Sequence, residues 1–257
     1  MNKGVRGVLS SFGVIAIVSL VYLALRREIG FVIIGLLSFL LLYLAVRMAG
    51  YTREDLGLAG YFNWKLHLVL PVAVMLMNIL WVLPLGVGIK TLHPLIYVAL
   101  LIKYLIFVAL YEELVFRGLM QRGFELWKGE RVAVILTAII FGLSHITARF
   151  TFEPTFANFW RIYNPLLSGF VFSVYRWKFR RIEGLILAHG LGDAIDRMMT
   201  VKKVEWLLGT ATGHVYMVLA YTVTQLASIF IYLKLAGSLK GYGGQPNKNR
   251  NLEASRL

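Results

Sequence analysis

The chain has 257 residues, of which 58% are hydrophobic and 16% charged, and it contains no cysteine. A soluble domain carries about 25% charged residues, so this composition points to a polytopic membrane protein, and the missing cysteines exclude a disulfide framework, a thiolate zinc site and a Cys nucleophile. The formal charge of +14 reads as basic loops that record topology and attraction to anionic lipid; no basic stretch is interleaved with aromatics on a polar domain, which argues against nucleic acid.

Residues 8–25 are uncharged and preceded by Lys3 and Arg6. No small-residue cleavage site follows them, and Arg26, Arg27 and a second apolar run (29–46) do, so they form a first span rather than a signal peptide. The stretch TREDLGL from Thr52 predicts an N-capped short interfacial helix. A third span lies in 66–87, with Pro71 and Pro84 near its ends where a lost backbone bond costs least. The fourth, 92–110, carries Lys103 near its middle and runs into Tyr111-Glu112-Glu113-Leu114-Val115-Phe116-Arg117-Gly118. Residues 118–130 read as a polar, amphipathic, cytosolic helix continuation and turn.

Residues 132–148 form a fifth apolar run interrupted by His145. An aromatic connection follows, with Phe150, Phe152, Phe156, Phe159 and Trp160 at headgroup depth. Short spans are expected at 162–175 and at 184–195, the latter holding His189 and Asp193, and a last span at 215–233. The expected fold is therefore all-α: a polytopic membrane protein of about eight transmembrane helices. Lys and Arg gather in alternate connections, including Arg117, Arg122, Lys128 and Arg131, then Arg176, Lys178, Arg180 and Arg181. The positive-inside rule then puts both N- and C-termini in the cytoplasm, with the glutamate pair nearer the cytoplasmic face.

Charges at membrane depth cost roughly 2.5–3.5 kcal/mol each on insertion scales, so the acids and histidines of these spans are functional-site candidates. Adjacent helical residues point about 100° apart, so Glu112 and Glu113 face different surroundings. Glu113 and Arg117 are spaced i, i+4 in the favourable order for an ion pair. Glu112 has only Val108 and Phe116 at those spacings. Desolvation strengthens an unpaired carboxylate as a base, which gives Glu112 the chemical role and Glu113 the structural one. A lone helix histidine such as His145 is more often a satisfied core residue. His189 and Asp193 share a face at i, i+4, while Arg197 is an equally spaced partner for Asp193. His67, His93 and His214 fall near helix ends and read as interfacial. Together Glu112, His145, His189 and Asp193 could hold and activate a water, or bind a divalent metal with N and O ligands. HExxH and GxSxG are both absent.

Glu112-Glu113-x-x-x-Arg117, Phe141-x-x-x-His145 and His189-x-x-x-Asp193 resemble, in order and in placement on separate spans, the three motifs of the CPBP (Abi, Rce1-type CAAX-processing) intramembrane proteases. The resemblance implies an endopeptidase acting on membrane-associated substrates, prenylated CaaX-like proteins among them, with Glu112 as general base. It further implies that His145 orients the water and that His189 and Asp193 polarise the scissile carbonyl. Glu113, Arg117 and Phe141 complete the motifs structurally. Family members often carry Asn where this chain has Asp193, and an ionised Asp cannot donate to an oxyanion. No cofactor is required by this reading; a metal such as zinc on Glu112, His145, His189 and Asp193 is its variant. The expected organisation is three variable helices (1–93), a protease core (94–236) and a flexible cytoplasmic tail (237–257). The partners are the bilayer and a protein or peptide substrate. A transporter or proton relay, and a non-catalytic scaffold or immunity protein, are the alternatives from other classes. A straight count of about 1.5 Å per residue sets Glu112 roughly 8 Å from Arg117 and His145 roughly 20 Å from Arg131, so the two meet only if the first turns of the fifth helix sit in the cytosolic layer or if that helix is steeply tilted.

Overall fold

The computed structural model describes residues 1–25, 30–146 and 155–238. Helices α1 (Lys3–Leu25), α2 (Phe31–Ala49), α3 (Lys65–Leu85) and α4 (Pro94–Lys128) are followed by α5 (Glu130–Ser144), α6 (Phe156–Phe179) and α7 (Glu183–Met198), and by α8 (Val204–Gly209) and α9 (Ala211–Ser238). By length and composition, α1, α2, α3, α4 and α9 can each cross a membrane. Large apolar side chains on their outer faces, such as Leu20, Leu36, Leu40, Val223 and Phe230, are exposed, as lipid-facing residues are. The chain is a helical, polytopic membrane protein. The three other expected spans correspond to α5 and α7, of 15 and 16 residues, and to α6, which carries Arg161, Arg176 and Lys178. Gly237 and Ser238, expected in the tail, instead end α9; the remainder of the expected tail from 239, Arg26 and Arg27, and Phe150 and Phe152 lie outside the described residues.

Two features depart from the expected all-α fold. Val87–Ile89 (β1) pairs antiparallel with Met199–Val201 (β2), Val87 opposite Val201, in a short ribbon that ties the exit of α3 to the exit of α7. Gly86, at φ +77°, makes the left-handed turn that releases the chain from α3. The second departure is at TREDLGL, which forms one turn and stops. Its start signal is genuine: the Thr52 amide and hydroxyl both donate to Asp55 Oδ2 at 3.0 Å, and the Asp55 amide returns to Thr52 Oγ1 at 3.3 Å. Its stop signal comes too soon. Gly57 at φ +80° lets its amide reach the Glu54 carbonyl and the Leu58 amide reach that of Arg53, a Schellman closure.

That single turn anchors an ionic network. Lys3 reaches Asp55 at 2.7 Å and Arg122 reaches it at 3.2 Å, while Arg176 donates to its backbone carbonyl at 2.8 Å. Burial would push the Asp55 carboxyl up; the Lys3 ammonium and the two Thr52 donors outweigh it and hold the pKa at about 2, below the ordinary 3.8. A depressed carboxylate stabilises the fold above its unfolded pKa and loses that contribution as pH falls through the folded value. Asp55→Asn is therefore expected to cost about 1–2 kcal/mol at neutral pH. The gap from the parent should close between pH near 4 and pH near 2 in thermal unfolding of the micellar protein. An equal gap at pH 7 and pH 2 would refute this assignment.

α4 runs on past the glutamates, as expected of the continuation and turn. It continues as one helix through residues 118–128, turns at Gly129 (φ +90°) and returns as α5. The continuation is not a solvated segment, because Val115 to Gln121, Gly123 and Phe124 are buried, part of that face against α1. Helices α1 and α4 approach closely enough that a Cβ on Gly123 would stand 2.8 Å from the Val8 amide nitrogen. This extension resolves the difference in depth. Glu112 lies 17 residues before Gly129 and His145 lies 16 after it, so both stand roughly 24–26 Å up the same hairpin at about 1.5 Å per residue.

Candidate active site

Glu112 and Glu113 occupy a short α-helical stretch, Tyr111–Glu113, between two wider π-helical stretches, Lys103–Leu110 and Leu114–Met120. Such turns insert backbone into a helix and re-aim side chains, and they recur at functional sites. Glu113 and Arg117 are both fully buried and pair at 3.1 Å as their spacing predicts. The second guanidinium nitrogen donates to the Gly169 carbonyl on α6 at 3.2 Å. The plane of the guanidinium lies 4.2 Å from the Phe141 ring centre and 5.3 Å from that of Phe172. One turn later Gln121 donates to the Ser173 carbonyl at 2.9 Å, so α4 reads the α6 backbone at i and i+4 on both helices.

Glu113 does more than pair with Arg117. Its Oε1 also takes His189 Nδ1 at 2.8 Å. A carboxylate already held by a guanidinium can only accept, so Nδ1 is the donor and Nε2 faces outward. There, Glu112 Oε2 and Asp193 Oδ2 stand 3.7 Å from Nε2. The two glutamates thus point apart, as expected of neighbours, yet each addresses a different nitrogen of one imidazole. Among the described residues Asp193 forms no ion pair with Arg197; it approaches His189. The His189 ring sits between the rings of Phe141 and Phe172, at 6.2 Å and 5.7 Å.

His145 is aimed by the end of its helix. α5 stops at Ser144, leaving the Phe141 carbonyl among the last-turn acceptors without a regular partner. Ser144 Oγ and His145 Nδ1 both turn back to it, each at 2.8 Å. Nδ1 must be the donor to a carbonyl, so Nε2 is again the open nitrogen. The Phe141 ring packs edge-on against that of His145, with centres 4.8 Å apart. Close helix contact fixes this geometry: a Cβ on Gly169 would stand 2.8 Å from Phe141 Cδ1.

Glu112, His145, His189 and Asp193 line one cavity of about 590 Å³ whose walls come from α3, α4, α5, α6, α7 and α9. Glu113 and Arg117 are behind its surface. All four chemical candidates from the sequence are therefore brought together, with the structural pair as their backing. Glu112 Oε2 is buried without a hydrogen bond. Among the described residues no group of three or more His, Asp and Glu side chains converges as a metal site, so the alternative ligand set is not preassembled.

Other sequence expectations fare differently. His67 is not interfacial: it is 2% exposed and accepts the Asn63 amide on Nδ1 at 2.8 Å, packed beside Phe62 and Phe179. His93 caps α4 by accepting from the Leu95 amide, and His214, near the start of α9, stacks on Phe156. Lys103 lies 5.2 Å from the Tyr104 ring centre. Phe172 and the Gly169 carbonyl carry no sequence signal for their part in the site; they are found only once α6 is seen to pack across α4 and α5.

Residues 94–195 match a family model described as type II CAAX prenyl endopeptidase Rce1-like. The matched stretch begins at the first residue of α4 and contains every motif residue from Glu112 to Asp193. No curated protein and no solved structure matches the chain.

Proposed function

We propose, from the match of residues 94–195 to the Rce1-like family of CAAX prenyl endopeptidases, that the chain is a CPBP (Rce1-type) intramembrane endopeptidase that hydrolyses a peptide bond of a membrane-associated substrate with a water activated by Glu112. The observation that carries the proposal is the meeting of Glu112 with the outward Nε2 atoms of His145 and His189 on one cavity. Two ring nitrogens are tethered, one by a helix-end carbonyl and one by a buried carboxylate. Two are left for substrate and water.

In this reading the water lies between Glu112 and His145 Nε2. Glu112 takes its proton as the oxygen attacks the scissile carbonyl, and returns that proton to the leaving amine as the C–N bond breaks. His189 faces the carbonyl oxygen and stabilises its developing charge when Nε2 carries a proton. The carboxylates of Glu112, Glu113 and Asp193 all approach this imidazole, and that of Glu113 is matched by Arg117. Asp193 then has no need to donate to the oxyanion. Its work is to orient the His189 ring from the Nε2 side, a role open to Asp where the family often carries Asn.

The Lys and Arg distribution supports cytoplasmic termini, with the short α5 and α7 and the longer α6 as the spans that complete eight. Prenylated CaaX-like proteins are the first substrate class to try. The purified protein in lipid nanodiscs, given a farnesylated CaaX peptide, is expected to release its last three residues, detected by mass. Cellular protein termini should differ between the parent and Glu112→Ala. No released peptide together with identical termini would end the endopeptidase reading; pH-gradient-dependent uptake in proteoliposomes would replace it with a transporter.

A further inference from the structure

We infer that Gln225, on α9 and outside the family-matched stretch, is a peptide-backbone clamp that holds the substrate extended across the cavity. Gln225 is 3% exposed and lines the same cavity as Glu112. The polar groups around it are already committed. Asn78 and Ser228 hydrogen-bond each other at 3.2 and 3.3 Å, Tyr221 donates to the Asn164 carbonyl at 3.2 Å, and Tyr163 pairs with Thr222 at 2.5 Å. Among the described residues the Gln225 carboxamide makes no hydrogen bond. An amide on a largely buried side chain whose polar atoms open onto the cavity without a partner is free to pair with what enters it.

The chemistry of that partner follows from the wall. Val74, Met75, Ile79, Val82 and Val108 are apolar and offer nothing to a backbone. A peptide entering this cavity must satisfy its own N–H and C=O groups or leave them desolvated. A helical segment satisfies them internally but shields its scissile bond; an unwound one needs an acceptor and a donor side by side. A carboxamide supplies that pair in the geometry of a peptide unit. α9 packs on α3 and α6, so the clamp belongs to the wall built by α3 and α9, apart from the Glu112 helix. Recognition of this kind selects an extended backbone and is indifferent to side chains. The inference rests on the endopeptidase reading for its substrate class and adds the residue that positions it.

The test reads binding rather than turnover. A fluorescent farnesylated CaaX peptide and a set of its singly N-methylated versions are titrated against nanodisc-held Glu112→Ala, with and without Gln225→Leu. One N-methyl position is expected to weaken binding about tenfold in Glu112→Ala and less than about twofold in the double variant, the mark of a lost pairwise hydrogen bond. Gln225→Leu should melt near the parent temperature, since it breaks no hydrogen bond among the described residues; Gln225→Met serves as a second isostere. Equal N-methyl penalties at every position in both backgrounds would overturn the clamp, and so would failure of the peptide to bind either. Coupled binding without cleavage by the parent protein would leave the clamp standing and remove the endopeptidase reading.

Discussion

Glu112→Gln is expected to reduce peptide cleavage by about 10²- to 10⁴-fold, the usual contribution of a positioned general base. The loss should fall on kcat, with KM within a few-fold of the parent, because the carboxamide keeps the size of the side chain and removes only its basicity. The fold should be indifferent. Glu112 Oε2 makes no hydrogen bond, and its approach to His189 is 3.7 Å, so the variant is expected to unfold at the parent temperature. Single-turnover cleavage beside thermal unfolding separates the two effects. A variant that cleaves at the parent rate would remove Glu112 from the chemistry altogether.

Arg117→Met carries the largest expected cost in stability. It leaves Glu113 fully buried beside His189 with no guanidinium, and breaking one side of a buried pair typically costs about 3–5 kcal/mol. It also removes the tie to the Gly169 carbonyl and the cation over Phe141. Activity should fall with stability, because His189 is aimed by the same carboxylate. The informative control is Glu113→Gln with Arg117→Met, in which no charge is stranded. That pair is expected to recover most of the lost stability while cleavage remains impaired. Additive losses in the double-mutant cycle would show that the two residues act independently, contrary to their 3.1 Å contact.

Much of the site was legible because its local relations are written in helical spacing. Glu113 with Arg117 and His189 with Asp193 are i, i+4 neighbours, and both pairs face as that period requires. That Glu112 has no partner on its own helix was legible for the same reason. What spacing could not show is contact at long range. Glu113 and His189 are 76 residues apart, and their bond, which makes the supposedly structural glutamate the residue that sets the histidine tautomer, depends on how α7 docks on α4. The matched heights of Glu112 and His145 were not legible, because nothing in the spacing of the polar residues after Gly118 shows how they are covered. Their burial against α1 keeps them helical. At Thr52 the start signal was read correctly, and the adjacent Gly57 stop was underweighted. The β ribbon has too few residues for any periodicity to announce it.

The hairpin around Gly129 also sets a rule for how the chain can change length. Since 17 and 16 residues separate that turn from Glu112 and His145, the two arms act like matched rulers. An insertion of one residue in a single arm moves its group by about 1.5 Å and swings it about 100° away from the other. Four residues added to both arms restore the facing within about 40° and lift the pair together, nearly preserving chemistry while changing the depth at which it is done. Homologous chains that differ in length here should therefore differ in both arms at once.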